Sequence, residues 1–242
     1  MKKLKHFCLA TFSLLAISIP AYCTWSIIVI DPVTKAIGIA GASCTYSVYG
    51  IGAIVPGKGA IIVQAMSNPL ARMKGVRMIM ADAPPKEILE AIKDPYFDPE
   101  EQQYAIICVS DIGHPQTFTG SENPSAKGAL TAKGISVQGN TLTNAEELKA
   151  VLDAAVKAQK ASLPIQEVLM LALEAGAKGG GDKRCGDRKA SSAFITIAKP
   201  GDDSKKPYLN LVVNGSDEKA NAVEALRKKF NAWSAEAGHG TK

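Results

Sequence analysis

From Thr24 onward, apolar residues occupy both alternating faces of TWSIIVID and, after the polar stretch DPVTK, of KAIGIAGAS. Short β-branched runs around such a stretch predict two strands joined by a turn, with Pro32 supplying the fixed backbone angle that turns favour. Since neither run has a polar face, the sheet they enter should be covered on both sides. Placing Ile30 opposite Ala36 puts Thr24 opposite Ala42 and brings Ser43 and Cys44 out beside Thr24.

Further along, GAIIVQAM (59–66) reads as a strand after the Pro56-Gly57-Lys58-Gly59 turn, and LARMKGVRMIMA (70–81) has helical spacing. A short helix opened by proline follows over 84–92. YAIICVSD and PQTFTG, joined around Gly113-His114-Pro115, and GISVQGN (134–140) return to strands. Two neighbouring helices come next: one from Asn144, with Glu147 three residues on as its capping-box partner, and PIQEVLMLALEAG, ending at Gly176. The loop AKGGGDKRCGDRKA leads to the strands ASSAFITIAK and PYLNLVVNG, and DEKANAVEALRKKFNAW is an amphipathic closing helix. This order of elements suits an α+β protein in which two sheets stack face to face and are sheathed by helices.

The residues before Thr24 have a different pattern. Lys2, Lys3 and Lys5 precede an apolar stretch from Phe7 to Ile19, and Ala21-Tyr22-Cys23 offers small residues at the two positions that a signal peptidase reads. The expectation is a signal peptide over 1–23 and one domain over 24–242, exported to a periplasm or secreted. Retention of the segment as an anchor is the alternative and the only route to a membrane; the apolar run is short for a span, and bulky Tyr22 disfavours lipidation of Cys23. Removing the leader takes away three lysines and no acids, which reduces the formal charge of +5 to +2 and argues against a nucleic-acid partner. Cys44, Cys108 and Cys185 remain. Cys108 reads as a buried strand residue, whereas Cys44 and Cys185 stand where loops begin and suit an oxidised pair; sequence alone leaves the three pairings open.

A threonine whose own amine is free carries a base beside its hydroxyl, because an α-amine has a pKa of about 7.7 to 8.0. Removal of residues 1–23 would therefore create a nucleophile at Thr24, although every exported chain has some first residue. A strand that starts at once favours the catalytic reading, since ordinary termini fray. His114 and His239 lie in a turn and a Gly-rich tail, which leaves no basis for a Ser-His-Asp relay or a metal site, and no cofactor is expected. The glycine-rich loop lacks the strand before it and the Gly-Lys-Ser/Thr ending of a phosphate loop. Asp182 and Arg184 read as a surface pair within it, and Asn68 and Asn140 as turn formers unless the fold gathers them as oxyanion donors.

In this order and at these separations, TWSIIVID, GIAGASC, GAIIVQAMSNP, FTGS, SVQGN and GGDKRC resemble the domain of unknown function 1028 family over nearly all of the chain after residue 23. The contexts of Cys44 and Cys185 resemble a secreted branch of it. The resemblance implies the four-layer αββα sandwich of N-terminal-nucleophile (Ntn) hydrolases, which cut amide bonds with a first-residue Thr, Ser or Cys. Thr24 falls on the nucleophile position, and Asn68, Asn140, Asp182 and Arg184 on family motif positions. Better-known relatives of the fold place a lysine near the nucleophile; Ser43 and Cys44 stand closest here, so another cation such as Arg184 would have to serve. Some relatives are joined to peptidoglycan-binding modules, which implies a small amide or peptide, such as a peptidoglycan fragment, as substrate. The rival expectation is a binding or structural protein of the cell envelope that keeps the fold without the chemistry, and a third is a cell-envelope factor that docks a partner by a sheet edge or the glycine-rich loop.

Overall fold

The first two strands form the hairpin expected from their apolar runs, in a different register. In a computed structural model that describes residues 24–124, 126–144, 146–216 and 219–236, β1 (Thr24–Ile30) pairs with β2 (Ile37–Ser43) so that Ile30 faces Ile37 and Thr24 faces Ser43, not Ala42. The turn sets the shift. Asp31 extends the ladder by donating its N–H to the Ala36 carbonyl, and its side chain accepts the N–H groups of Val33 and Thr34. Lys35 takes the left-handed conformation that closes the loop, with φ 59°.

The remaining strands are β3 (Gly52–Val55), β4 (Gly59–Ala65), β5 (Gln102–Cys108), β6 (Gln116–Thr119), β7 (Gly128–Ala132), β8 (Ile135–Asn140), β9 (Ser192–Ala198) and β10 (Leu209–Val213). They form two antiparallel sheets, ordered β10-β9-β2-β1-β8-β7 and β3-β4-β5-β6. The helices are α1 (Pro69–Met80), α2 (Pro85–Ile92), α3 (Glu146–Lys160), α4 (Ile165–Gly179) and α5 (Ala222–Glu236).

Alternation along the strands divides the apolar side chains among three cores. Trp25, Ile27 and Val29 of β1 pack with α3, α4 and α5, whereas Ile28 and Ile30 join Ile37, Ile39, Ala60, Ile62, Ala105 and Ile107 between the sheets. On the other side of the second sheet, Ile61, Val63, Tyr104 and Ile106 pack with α1 and α2. Both faces of both sheets are covered, as two-sided apolar strands require. None of the described helices is long and apolar enough to cross a membrane.

Three local expectations need correction. Gly176 does not end α4, which runs on to Gly179 and is capped by Gly180 at φ 132°. Its lack of a side chain serves packing: a Cβ there would lie 2.3 Å from Nε1 of Trp25. At α3 only half of the capping box forms, because Asn144 Oδ1 accepts the Glu147 N–H at 3.1 Å while the Glu147 carboxylate finds no hydrogen-bond partner among the described residues. The closing helix begins at Ala222, with Asn221 accepting the Val223 N–H at its start. The proposed leader over 1–23, and His239, lie outside the described residues.

Candidate active site

Thr24 opens β1 near the middle of the larger sheet, flanked in register by Ser43 on β2 and Asn140 on β8. Ser192 on β9 faces Ser43 in turn. Opposed residues on antiparallel strands project to the same side, and the alternation of β1 puts this row of four polar residues on the face between the sheets. Thr24 is 3% exposed, and the other three are fully buried.

Next along that face, strand residues that would ordinarily be aliphatic are amides and hydroxyls. Ser26 donates to Gln64 Oε1 and accepts from Gln138 Nε2 at 2.6 Å. Gln64 donates to Gln103 Oε1 at 2.7 Å, with a longer contact to the Thr24 carbonyl at 3.4 Å. Gln103 in turn donates to Thr119 Oγ1 and to the carbonyls of Gly128 and Gly139. Asn140 Nδ2 reaches Gln103 Oε1 at 3.3 Å, longer than a usual N–H···O bond. The nucleophile candidate thus rests on a hydrogen-bonded platform shared by both sheets.

A cavity of about 310 Å³ opens beside Thr24. Thr45, Ser47 and Tyr49 from the β2–β3 loop, the end of β4 through Ser67, and Arg72 on the first turns of α1 line it. Ala65, Ser67 and Thr141, all next to the row or the cavity, adopt positive φ of 68°, 47° and 50°. Left-handed backbone at a non-glycine residue costs on the order of 1 kcal/mol or more and concentrates at functional sites.

The other sequence candidates fall around this centre in different ways. Asn68 does not line the cavity: its Oδ1 caps α1 by accepting the Leu70 and Ala71 N–H groups, and its Nδ2 donates to the Phe97 carbonyl. Asp182 and Arg184 do pair, at 2.8 Å, but Asp182 is fully buried, so the expectation of a surface pair is wrong. The Asp182 carboxylate also accepts the Cys44 N–H, and its backbone bridges Leu142 while the Lys183 N–H reaches the Thr141 carbonyl. One acid therefore ties down the ends of both strands that flank Thr24. The disulfide joins Cys44 to Cys185, with Cα atoms 5.5 Å apart, and ties the end of β2 covalently to the loop that carries Asp182; it is compatible with an oxidising compartment. Cys108 is free and buried, its thiol pushed up to about 11 by desolvation. His114 pairs with Asp111 at an exposed turn and takes no part in the cavity. No group of three His, Cys, Asp or Glu side chains gathers as metal ligands among the described residues.

Arg72 is the site residue that sequence reasoning missed. Among the described residues it is the sole charged one lining the cavity, whereas Arg184, the cation considered from sequence, is held by Asp182 and does not line it. Helical spacing put Arg72 on a helix, but only the packing of α1 against the end of β4 turns it toward Thr24.

A family model described as "Family of unknown function (DUF1028)" matches residues 24–226, beginning at Thr24 itself. No curated protein matches the chain. Among solved structures, the crystal structure of the DUF1028 protein SPO2555 from Silicibacter pomeroyi is similar, with 23% sequence identity and a TM-score of 0.74 over 88% of this chain and 89% of that one. At that identity the likeness bears on the fold alone.

Proposed function

For this chain, which belongs to the family of unknown function DUF1028, we propose the role of an exported amidohydrolase built on the αββα sandwich of the Ntn hydrolases. Removal of residues 1–23 would free the amine of Thr24, and the substrate would be a small amide or peptide, with peptidoglycan fragments as one source. The observation that carries this reading is the position of Thr24: first residue of a central strand, on the inter-sheet face, beside a cavity and above a buried polar platform. That the family match starts at the same residue supports it further.

In this mechanism the α-amine of Thr24 takes the proton from Oγ1, and the oxygen attacks the amide carbonyl. Asn140 Nδ2, across the ladder from Thr24 on β8, stabilises the oxyanion. Collapse breaks the C–N bond as the amine returns the proton to the leaving nitrogen. Water, activated by the same amine, then clears the ester. Asp182 and the disulfide hold the strand ends in place and do not touch the reacting atoms.

The test is chemical and does not require a known substrate. A β-lactone that acylates N-terminal threonine should label the exported protein at Thr24, with mature mass beginning at that residue. Thr24→Ala should remove labelling entirely, and Asn140→Ala should slow it about 100-fold or more. A mature end at any residue other than Thr24, or an acylated Thr24 amine, defeats the proposal.

A further inference from the structure

Arginines elsewhere in the chain show how the fold treats a guanidinium that meets other side chains. Arg227 forks onto Glu167 and Glu174, with contacts of 2.6 to 3.2 Å, and Arg184 closes on Asp182. Arg72 differs. It is partly buried at the wall of the Thr24 cavity, no carboxylate shares that wall, and its guanidinium meets no acceptor among the described residues. Burial without a counter-charge lowers its pKa from the ordinary arginine value. Keeping such a cation beside a cavity is costly unless something anionic comes to it.

Several neighbouring donors are already in use, and those that remain, such as the hydroxyls of Ser47 and Tyr49, are neutral. Asn68 occupies the Leu70 and Ala71 amides at the start of α1, Ser67 Oγ donates to the Val63 carbonyl, and Thr45 Oγ1 is engaged by Ser43 and Ser47. Arg72 is thus the available charged donor, and its planar fork matches the two oxygens of a carboxylate.

Resting on the reading of Thr24 as nucleophile, we propose that Arg72 selects the substrate and that the substrates are amides bearing a free carboxylate close to the bond that is cut. The carboxylate belongs either to the acyl part, as in an acidic side chain, or to the amine part, as in an N-acyl amino acid. A cavity of about 310 Å³ is at the small end of ligand sites and suits one such residue better than a long chain.

Two arms test this and separate the two sources. In the first, a β-lactone carrying a carboxylate and its methyl ester are compared on protein processed to Thr24. Oγ1 opens the ring to an ester and a hydroxyl, so the chain gains the whole probe mass. The acid should label roughly tenfold to a hundredfold faster than the ester, the range of a charge-assisted contact. Arg72→Ala should abolish that preference, so that acid and ester label at the same rate as each other, and Arg72→Lys should retain part of it. In the second arm, N-acetylglycinate and N-acetylglycinamide are titrated onto Thr24→Ala by NMR, with and without Arg72→Ala. Binding of the acid alone, lost on removing Arg72, puts the carboxylate on the amine side. A preference in either arm that depends on Arg72 supports the proposal. Equal behaviour of acid and neutral partner in both arms, or a preference that survives Arg72→Ala, overturns it. If neither lactone labels Thr24, the nucleophile reading falls, and the titration still decides whether Arg72 receives carboxylates.

Discussion

The layer between the sheets has two unlike halves. Toward the Thr24 end it is built of Ser26, Gln64, Gln103, Gln138 and Asn140; toward the other end, of Ile28, Ile30, Ile37, Ile39, Ile62 and Ile107. Both halves are buried, so water exclusion does not distinguish them. Aliphatic burial stabilises in proportion to area and without direction. A buried amide stabilises little even when bonded and costs much when not, but it fixes angles and distances. The apolar half holds the sheets together, and the polar half fixes how they meet under Thr24.

Substituting Gln103 is the strongest challenge to that division. It bonds Gln64, Asn140, Thr119 and the carbonyls of Gly128 and Gly139, so Gln103→Leu keeps bulk while orphaning several buried groups at about 1 to 3 kcal/mol each. A net loss of roughly 3 to 6 kcal/mol by urea unfolding is expected, together with slower β-lactone labelling of Thr24 by the folded fraction. Unchanged stability would mean that the network carries no structural weight.

The matching change in the apolar half is Ile28→Ala, on the same strand as Thr24 and fully buried. A cavity there should cost about 2 to 4 kcal/mol. Labelling of Thr24 in the folded protein should stay near wild type, because the hydrogen bonds that orient the site lie nearer the strand's start. If Ile28→Ala slows labelling as much as Gln103→Leu does, the two halves are not separable.

Much of this arrangement was legible in the sequence, and the gaps have physical causes. The long two-sided apolar runs declared β1, β2, β4 and β5, helical spacing declared α1, and proline marked the start of α2; that Asn68, read as a turn former, caps α1 emerged only in the structure. β3 and β7 gave little signal, because Gly52–Val55 and Gly128–Ala132 are short edge strands, partly exposed and without alternation. Register shifted by one because Asp31 pairs with Ala36 before the turn begins, a choice made by its side chain. The polar platform was readable in hindsight: IIVQA, QQYAIIC and SVQGN each place glutamine on an otherwise apolar strand. Convergence of those glutamines, and the turning of Arg72 toward Thr24, depends on how two sheets and a helix stack, which no local pattern encodes.

Compensation in the polar half stops at the helix side, where two acids meet opposite fates. Asp182 is fully buried and collects the Cys44 N–H and the Arg184 fork. Glu147, on the first turn of α3 and 1% exposed, has neither oxygen hydrogen-bonded among the described residues. The Gly181 amide exerts a partial pull on it, but that N–H is spent on the Gly176 carbonyl at 3.1 Å. Desolvation, with the nearby charge of Asp182, therefore raises the Glu147 pKa to about 8. In the unfolded chain it returns to about 4.3. Between those values the folded protein holds the extra proton, so the contribution is fully present below about pH 4, fades as pH rises, and is gone above pH 8. Wild type should lose roughly 2 kcal/mol between pH 5.5 and 7.5 from this group, a fall in Tm of about 4 to 8 °C. Glu147→Gln, which stays neutral, should remove that slope in calorimetric scans and exceed wild type at pH 8. Parallel pH profiles for the two proteins would mean that Glu147 is ionised in the fold, and that the compensation at the Thr24 end extends to the helices after all.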